Sequence, residues 1–332
     1  SRSYHTLAGA DEVLSPRPLL GERLAEVAST GVVTDLGDAV EIGEDFDIAE
    51  VLVHQGSPLA GVSLAESNLR AQTGVNVIGA WFQNRFESPV SPTTVLEPGT
   101  VLLVTGRDGQ LTRLENLPNS TIREFESGKT LILGHGEVGK AVTRSLDAED
   151  QDYTVIDQHD KPGVDVVGEA YDTDALQAAG IDDARSAILA IPDDRDAEFA
   201  ALVMRDLTTN LDIAARTEGT DSVQKMYRAG ANYVLSLANV TGQMTASAVL
   251  EDENIGVIDA QIELLKTPAP ALSGQTLAEA RVRERTGCTV VAVERNGSIL
   301  TTMDGEFRIE RDDDLIVAGS DEGVSQFAAT VE

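Results

Sequence analysis

The sequence predicts an α/β chain in which one parallel-sheet domain is flanked by two copies of a smaller α/β domain. Three observations carry this. Residues 61–106 and 274–319 align without a gap (274 − 61 = 213). Within that match Gly61, Leu64, Ala65, Glu66, Arg70, Thr73, Gly74 and Val77 fall on Gly274, Leu277, Ala278, Glu279, Arg283, Thr286, Gly287 and Val290. AGADEVLS at 8–15 matches AGANYVLS at 229–236 (229 − 8 = 221). Between the two matches lies one glycine-rich loop, GHGEVG at 134–139, followed by alternating apolar and helical segments. Matches of this length mark a duplicated domain pair. The order is the tail of one unit, its small domain, then a complete second unit.

Residues 8–28 read as the last strand and crossover helix of the first unit. Each small domain opens with a strand (AEVLVH, 49–54; AQIELL, 260–265) and continues into a helix started by a capping box, Ser63-x-x-Glu66 or Thr276-x-x-Glu279. VNVIGAWF (75–82) and CTVVAVER (288–295) follow as strands. TVLEPGTVLLVTG (94–106) and FRIERDDDLIVAGS (307–320) each lead through a turn into a buried strand. A β-α-β-β plan of this size holds little core, so the small domain is expected to dimerise. Trp81 and Phe82 are expected as core or dimer contacts. The boundaries expected are 1–36 for the tail, 37–113 for the first small domain, 114–128 for a linker, 129–250 for the parallel-sheet domain and 251–332 for the second small domain.

TLILGHGEVGKAVTRSL (130–146) reads as strand, glycine turn and amphipathic helix. Gly134 makes the tight turn, Gly136 lets a pyrophosphate approach the backbone, and Gly139 lets the helix lie close on the strand. The helix N-terminus offers unpaired N–H groups and a positive dipole end to phosphates. YTVID (153–157) ends in Asp157, 18 residues beyond Gly139 (157 − 139), near the spacing of a ribose-binding carboxylate. An acid there accepts from the ribose hydroxyls and repels a 2′-phosphate, which favours NAD(H) or an adenine nucleotide (ADP, AMP or ATP) over NADP. Glu137 is expected to face solvent, stabilised by the helix dipole. VDVVG (164–168), SAILAI (186–191), LDIAA (211–215) and NYVLS (232–236) are the further strands, separated by helical stretches such as 173–180 and 197–207, in a Rossmann-like parallel sheet.

Composition narrows the partners. The 332 residues carry 56 acids against 25 lysines and arginines, a formal charge of −31, with 42% hydrophobic residues. Disorder pairs high charge with low hydrophobicity, so a folded protein with an acidic surface is expected. The lysines are Lys129, Lys140, Lys161, Lys225 and Lys266 alone. That scarcity points to the salt-rich cytoplasm of a halophile, where screening over about 3 Å at 1 M salt relieves self-repulsion. No basic stripe exists to displace counterions, so nucleic acid is not an expected partner. Cys288 is alone, which excludes an internal disulfide and a cysteine-based zinc site. No run of about 18 apolar residues occurs. The start at Ser1, inside a unit, is expected to reflect a longer natural protein.

Hydride-transfer chemistry is disfavoured, because it needs an acid/base near the nicotinamide end. His5 and His54 lie outside the parallel-sheet domain, His135 sits inside the loop, and His159 is two residues past Asp157. No Tyr is followed four residues later by Lys. No catalytic residue is assigned, and the nucleotide is read as sensed rather than consumed.

The run GxGxxG…VID…VDVVGE…LQAAGIDDA…AILAIPDD…IAAR…MYRAGANYVLS resembles an RCK (TrkA-N, KTN) domain, and the small repeat resembles the RCK C-terminal (TrkA-C) domain. Together they cover nearly the whole chain. The resemblance implies a cytoplasmic module at the inner face of the cell membrane that regulates a potassium channel or a Trk/Ktr transporter. Its pore would be a separate subunit or a preceding part of the same chain. A free NAD-dependent oxidoreductase and the regulatory subunit of a cation/proton antiporter are the alternatives. The resemblance also implies pairing through crossover helices and a ring of eight domains, closed by four tandem chains. Nucleotide contacts are then expected at Gly134, His135, Gly136, Glu137, Val138 and Gly139, at Asp157 and Gln158, at Glu169 and Ala170, at Ile191, and at Arg216. Two departures stand out. Calcium-gated members carry acids where this chain has Ala190 and Arg216, leaving Glu218 alone, so no metal site is expected. ATP-switched members carry arginine where this chain has Glu137, which weakens a γ-phosphate contact between subunits and leaves NAD(H), ADP or AMP.

Overall fold

The computed structural model describes residues 13–33, 47–54, 57–82, 85–88, 90–117, 128–249, 255–259, 262–300, 303 and 305–331. The chain enters through helix α1 (Pro16–Ser29), with proline in its first turn where a missing N–H costs nothing. The first small domain follows as β1 (Val32–Val33), β2 (Asp47–Leu52), α2 (Leu69–Thr73), β3 (Asn76–Phe82), β4 (Arg85–Glu87), β5 (Val101–Gly106) and α3 (Asp108–Leu117). Its strands form an antiparallel sheet in the order β1-β2-β5-β3-β4. The middle domain runs β6 (Lys129–Leu133), α4 (Glu137–Ala148), β7 (Tyr153–Asp157), β8 (Val166–Val167), α5 (Thr173–Ala178), β9 (Ala184–Leu189), α6 (Asp194–Leu207), β10 (Asp212–Thr217), α7 (Val223–Ala229), β11 (Tyr233–Ser236) and α8 (Leu237–Val249). All its strands are parallel, in the order β11-β10-β9-β6-β7-β8. The second small domain is β12 (Ile255–Asp259), β13 (Ile262–Pro268), α9 (Leu277–Ala280), α10 (Val282–Thr286), β14 (Thr289–Arg295), β15 (Ser298–Leu300), β16 (Asp314–Gly319) and α11 (Asp321–Val331). Its order, β12-β13-β16-β14-β15, repeats that of the first.

Several expectations are refined. Both capping boxes form, through Ser63 with Glu66 and Thr276 with Glu279, but neither starts a long helix. Asn68 and Arg281 adopt positive φ of 50° and 45°; the left-handed residue separates a turn from α2 in the first copy and α9 from α10 in the second. Among the described residues each small sheet has five strands rather than three. The additional ones are edge strands, of two and three residues in the first copy and of five and three in the second. Asp47 pairs with Gly106 and Glu263 with Gly319, so the opening strands correspond at an offset of 216 (263 − 47), not the 211 of AEVLVH and AQIELL. The expected strand at 164–168 shrinks to two residues because Asp165 turns its carboxylate back to the Val155 N–H at 2.8 Å. The boundary expected at 113 falls inside α3. Of the strand expected at 8–15 only 13–15 are described, without strand structure, and 118–127 of the expected linker lie outside the described residues.

The parallel sheet is buried on both faces, which accounts for its continuous apolar strands. Leu131, Leu189 and Ile213 pack on one face against α5, α6 and α7 through Leu176, Met204 and Met226. Ile132, Ile188 and Ala214 face the other way, onto Val138 and Val142 of α4 and onto Leu20, Leu24 and Val27 of α1. Helix α1 thus lies across β9, β10 and β11, beside both α4 and α8. It crosses α4 at Gly21, where a Cβ would stand 2.6 Å from both the Ala141 Cβ and the Val138 carbonyl.

The first small domain is fastened to the N-terminal ends of β10 and β11. His54 Nδ1 lies 2.8 Å from Asp212 Oδ2, and the Tyr233 hydroxyl donates to Glu50 at 2.7 Å. The two small domains meet through β3 and β14, where the Ser88 and Thr289 hydroxyls are 3.0 Å apart, and a cavity of about 440 Å³ opens between them. The two small domains thus pack on each other within one chain. Trp81 is buried, with its ring 4.8 Å from that of Phe86, in the cluster that includes α1. Among the described residues no helix is long and apolar enough to cross a membrane.

Candidate functional site

The chain order reverses between β6 and β9, and the C-terminal ends of strands at such a switch point frame the ligand crevice of doubly wound sheets. Gly134 and Ile191 lie on its two sides. Gly134 turns with φ +96°, donates its N–H to the Ile156 carbonyl at 2.8 Å, and passes close to Ala190. At Gly139 a Cβ would stand 2.0 Å from the Gly134 carbonyl, so helix and strand are packed to a distance only glycine permits. At Gly136 a Cβ would meet nothing within 4 Å. One glycine of the loop thus serves packing, and another borders open space. Gly136 caps α4 in an extended conformation with no side-chain cap, leaving first-turn N–H groups directed out of the helix. Val138 is fully buried and can offer the crevice only its backbone. Glu137 is exposed, as the dipole argument expected, but it is not solitary. Its carboxylate takes Arg17 Nη1 of α1 at 3.1 Å.

Asp157 is 8% exposed and already engaged. Oδ2 accepts the His135 N–H at 2.7 Å and lies 2.7 Å from Lys161 Nζ, while Oδ1 accepts the His159 N–H at 3.0 Å. Burial alone would raise its pKa, but Lys161 and the two N–H donors outweigh burial and hold it below the ordinary carboxylate range. The loop from His159 to Gly163 folds over His135, whose ring would meet a Gly163 Cβ at 2.5 Å. His135 Nδ1 is buried without a hydrogen-bond partner, and burial, with Lys140 and Lys161 adding to it, lowers the imidazole pKa.

The remaining candidates sit on the same edge of the sheet. Gln158 is exposed beyond β7, Glu169 and the half-buried Ala170 follow β8, and Arg216 is the next-to-last residue of β10. Arg216 is 4% exposed, and its Nε and Nη2 make no hydrogen bond, though Nη2 is ion-paired with Glu218. Burial first, and then the charge of Arg17, push its pKa down. Among the described residues no group of three or more His, Cys, Asp or Glu is placed to hold a metal ion.

Residues 130–237 match the TrkA-N domain family, and 48–119 and 262–331 match the TrkA-C domain family. The crystal structure of the GsuK RCK domain superposes with a TM-score of 0.62 at 31% identity, covering 99% of this chain and 72% of that one. The chain belongs to the RCK family. The structure of the GsuK channel bound to NAD aligns with a TM-score of 0.60 at 30% identity, over 99% of this chain but 60% of that one. By sequence, probable potassium channel protein 2 of Methanocaldococcus jannaschii is 23% identical over 249 residues, 67% of this chain and 71% of that protein.

In this RCK chain the sequence pattern singled out residues that lie at or near the C-terminal ends of β6, β7, β8, β9 and β10. It did not foresee two partners. Lys161, four residues after Asp157, neutralises the acid read as ribose-binding, and only that i,i+4 spacing hinted at it. Arg17 reaches Glu137 from 120 positions away (137 − 17), and no local pattern could have linked the two.

Proposed function

We infer that this chain is a regulatory RCK module that binds NAD(H) or another adenine nucleotide and passes its occupancy to a potassium-conducting membrane protein. The observation that carries the reading is the open space at Gly136, next to a helix N-terminus without a side-chain cap and on the same sheet edge as Asp157 and the buried, under-bonded Arg216. Phosphates fit the N–H groups and Arg216, and a ribose fits Asp157. The relation to a channel structure bound to NAD supports the same ligand class. In this reading Gly134, His135, Gly136, Glu137, Val138 and Gly139 surround the pyrophosphate, Asp157 and Gln158 the ribose, and Glu169, Ala170, Ile191 and Arg216 the rest of the crevice. The module works at the cytoplasmic face of the membrane, and four chains close a ring around one pore. Sensing is favoured over hydride transfer because, among the described residues, both histidines of the parallel-sheet domain are gathered at the loop around Asp157. His135 is covered by the Gly163 loop, and His159 lies exposed beside Asp157.

Gly136→Leu tests this. Its φ of −81° suits any residue, so the variant should fold with an unchanged melting temperature. It should bind NADH and ADP at least about tenfold more weakly by calorimetry, and potassium flux through the reconstituted assembly should lose its nucleotide dependence while basal flux persists. Undiminished binding would remove the loop from the site. NADPH should bind more weakly than NADH if Asp157 governs the ribose. Equal affinities would refute the ribose role of Asp157 and point to His159 or Lys161 as the group that receives the 2′-phosphate.

A further inference from the structure

We propose that Arg17, on the helix that precedes the first small domain, completes the phosphate end of the nucleotide site by neutralising Glu137, so that docking of α1 and nucleotide binding are linked. The proposal rests on the nucleotide reading above. An acid in the first turn of α4 is stabilised by the helix dipole, but it opposes a second anion at the same N-terminus. Glu137 is such an acid, with a side chain 72% exposed, in the loop that borders the open space at Gly136. Left alone, it would repel the phosphates that the N–H groups attract. Arg17 supplies the missing positive charge from another segment, 3.1 Å from the Glu137 carboxylate. The same guanidinium is near enough to Arg216 to disfavour its charge, so both cations belong to one electrostatic neighbourhood, with Glu218 and Asp194 as the other acids.

Arg17 cannot move independently of the rest of α1. The helix is pinned at Gly21, where it touches α4 backbone, and fourteen residues at about 1.5 Å each carry it roughly 21 Å towards the opposite edge of the sheet. There Gly31 lies against the ring of His54, which pairs with Asp212. A change in the charge balance at the loop therefore acts on a rigid element that ends at the first small domain. If docked α1 favours nucleotide, then nucleotide favours docked α1 by the same factor.

The test is titration of the full chain with ADP, AMP and adenosine at one fixed salt concentration, together with hydrogen exchange of residues 16–29. Arg17→Gln should weaken ADP binding about fivefold, as expected for loss of one partly exposed charge, and should leave adenosine unchanged. Arg17→Gln combined with Glu137→Gln should return ADP affinity to within about twofold of the parent. ADP should slow exchange in 16–29 of the parent, and less so in Arg17→Gln. The proposal is overturned if Arg17→Gln binds ADP like the parent, if it loses adenosine equally, if the double variant stays weak, or if exchange in 16–29 ignores ADP. A parent chain that binds none of the three would instead defeat the nucleotide reading, and the proposal with it.

Discussion

The two small domains repeat each other down to their irregularities, yet they are held shut by different means. Both sheets carry the same bulge, between Val77 and Gly79 and between Val290 and Ala292 (290 − 77 = 213). Both carry the same isolated bridge, Ser63 with Val95 and Thr276 with Arg308. The turn before the last strand is where they part. In the second copy Asp313, 1% exposed, accepts Arg295 Nε and Nη2, each at 2.7 Å, and the Glu310 N–H at 2.8 Å. Arg295 also donates to the Arg308 carbonyl and lies 5.0 Å over the Phe307 ring. The corresponding residues of the first copy, at an offset of 213, are Thr100, Phe82 and Thr94, and they cannot build that clamp. There the turn leans on the neighbouring domain, with Gly99 against Asn232. Glycines, capping boxes and strands specify the shared backbone. The anchor is chosen by whether the turn faces solvent or another domain.

The largest break of this comparison should come from Asp313→Ala. It strips a buried carboxylate from a doubly bonded guanidinium that is itself only partly exposed, and should cost about 2–3 kcal/mol in urea unfolding. Thr100→Ala, at the same place in the first copy, should cost less than about 1 kcal/mol. Equal losses would show that the clamp is ornamental and that strand packing alone holds both turns.

Acid should reproduce part of the Asp313 effect. Burial would raise this carboxyl's pKa, but Arg295 and the Glu310 N–H outweigh burial and depress it. A carboxyl whose folded pKa is lowered contributes stability above its unfolded value, about 3.9, and loses that contribution as pH falls through the folded value. Melting temperature should therefore fall below about pH 4 in the parent chain. Asp313→Asn should melt lower at neutral pH and show a shallower acid limb. Asp157, depressed by Lys161, acts in the same direction, so the limb should flatten without vanishing.

How far the sequence revealed this molecule depends on the range of the interaction. The crevice was legible because Gly134, Gly136, Gly139 and Asp157 sit at short fixed spacings along one β-α-β run. The two-copy plan was legible because 46 consecutive positions (106 − 61 + 1) repeat without a gap. Edge strands such as β4 and β15, with three residues each, leave no periodicity to detect. The left-handed residues Asn68 and Arg281, which start α2 and α10 anew, were hidden because no Gly or Pro marks them. Arg17 with Glu137 and His54 with Asp212 join segments over a hundred positions apart, and only the packed fold brings them together.

The smallest expected effects separate the two crossover-type helices. AGADEVLS and AGANYVLS precede α1 and α8 at an offset of 221, which places Gly21 opposite Gly242. The sequence treats the two glycines alike, but the fold does not. At Gly21 a methyl group would collide with the Ala141 side chain and the Val138 carbonyl, and backbone cannot yield cheaply. Gly21→Ala should therefore destabilise the chain by about 1–3 kcal/mol and loosen α1 from α4. At Gly242 a methyl group would meet nothing within 4 Å. Gly242→Ala should raise stability by about 0.5–1 kcal/mol, because alanine has less backbone freedom to lose on entering a helix. Thermal unfolding of both variants in one buffer reads the difference in sign. If Gly242→Ala also destabilises, then α8 is crossed as closely as α1, and its close partner must come from a second copy of the chain.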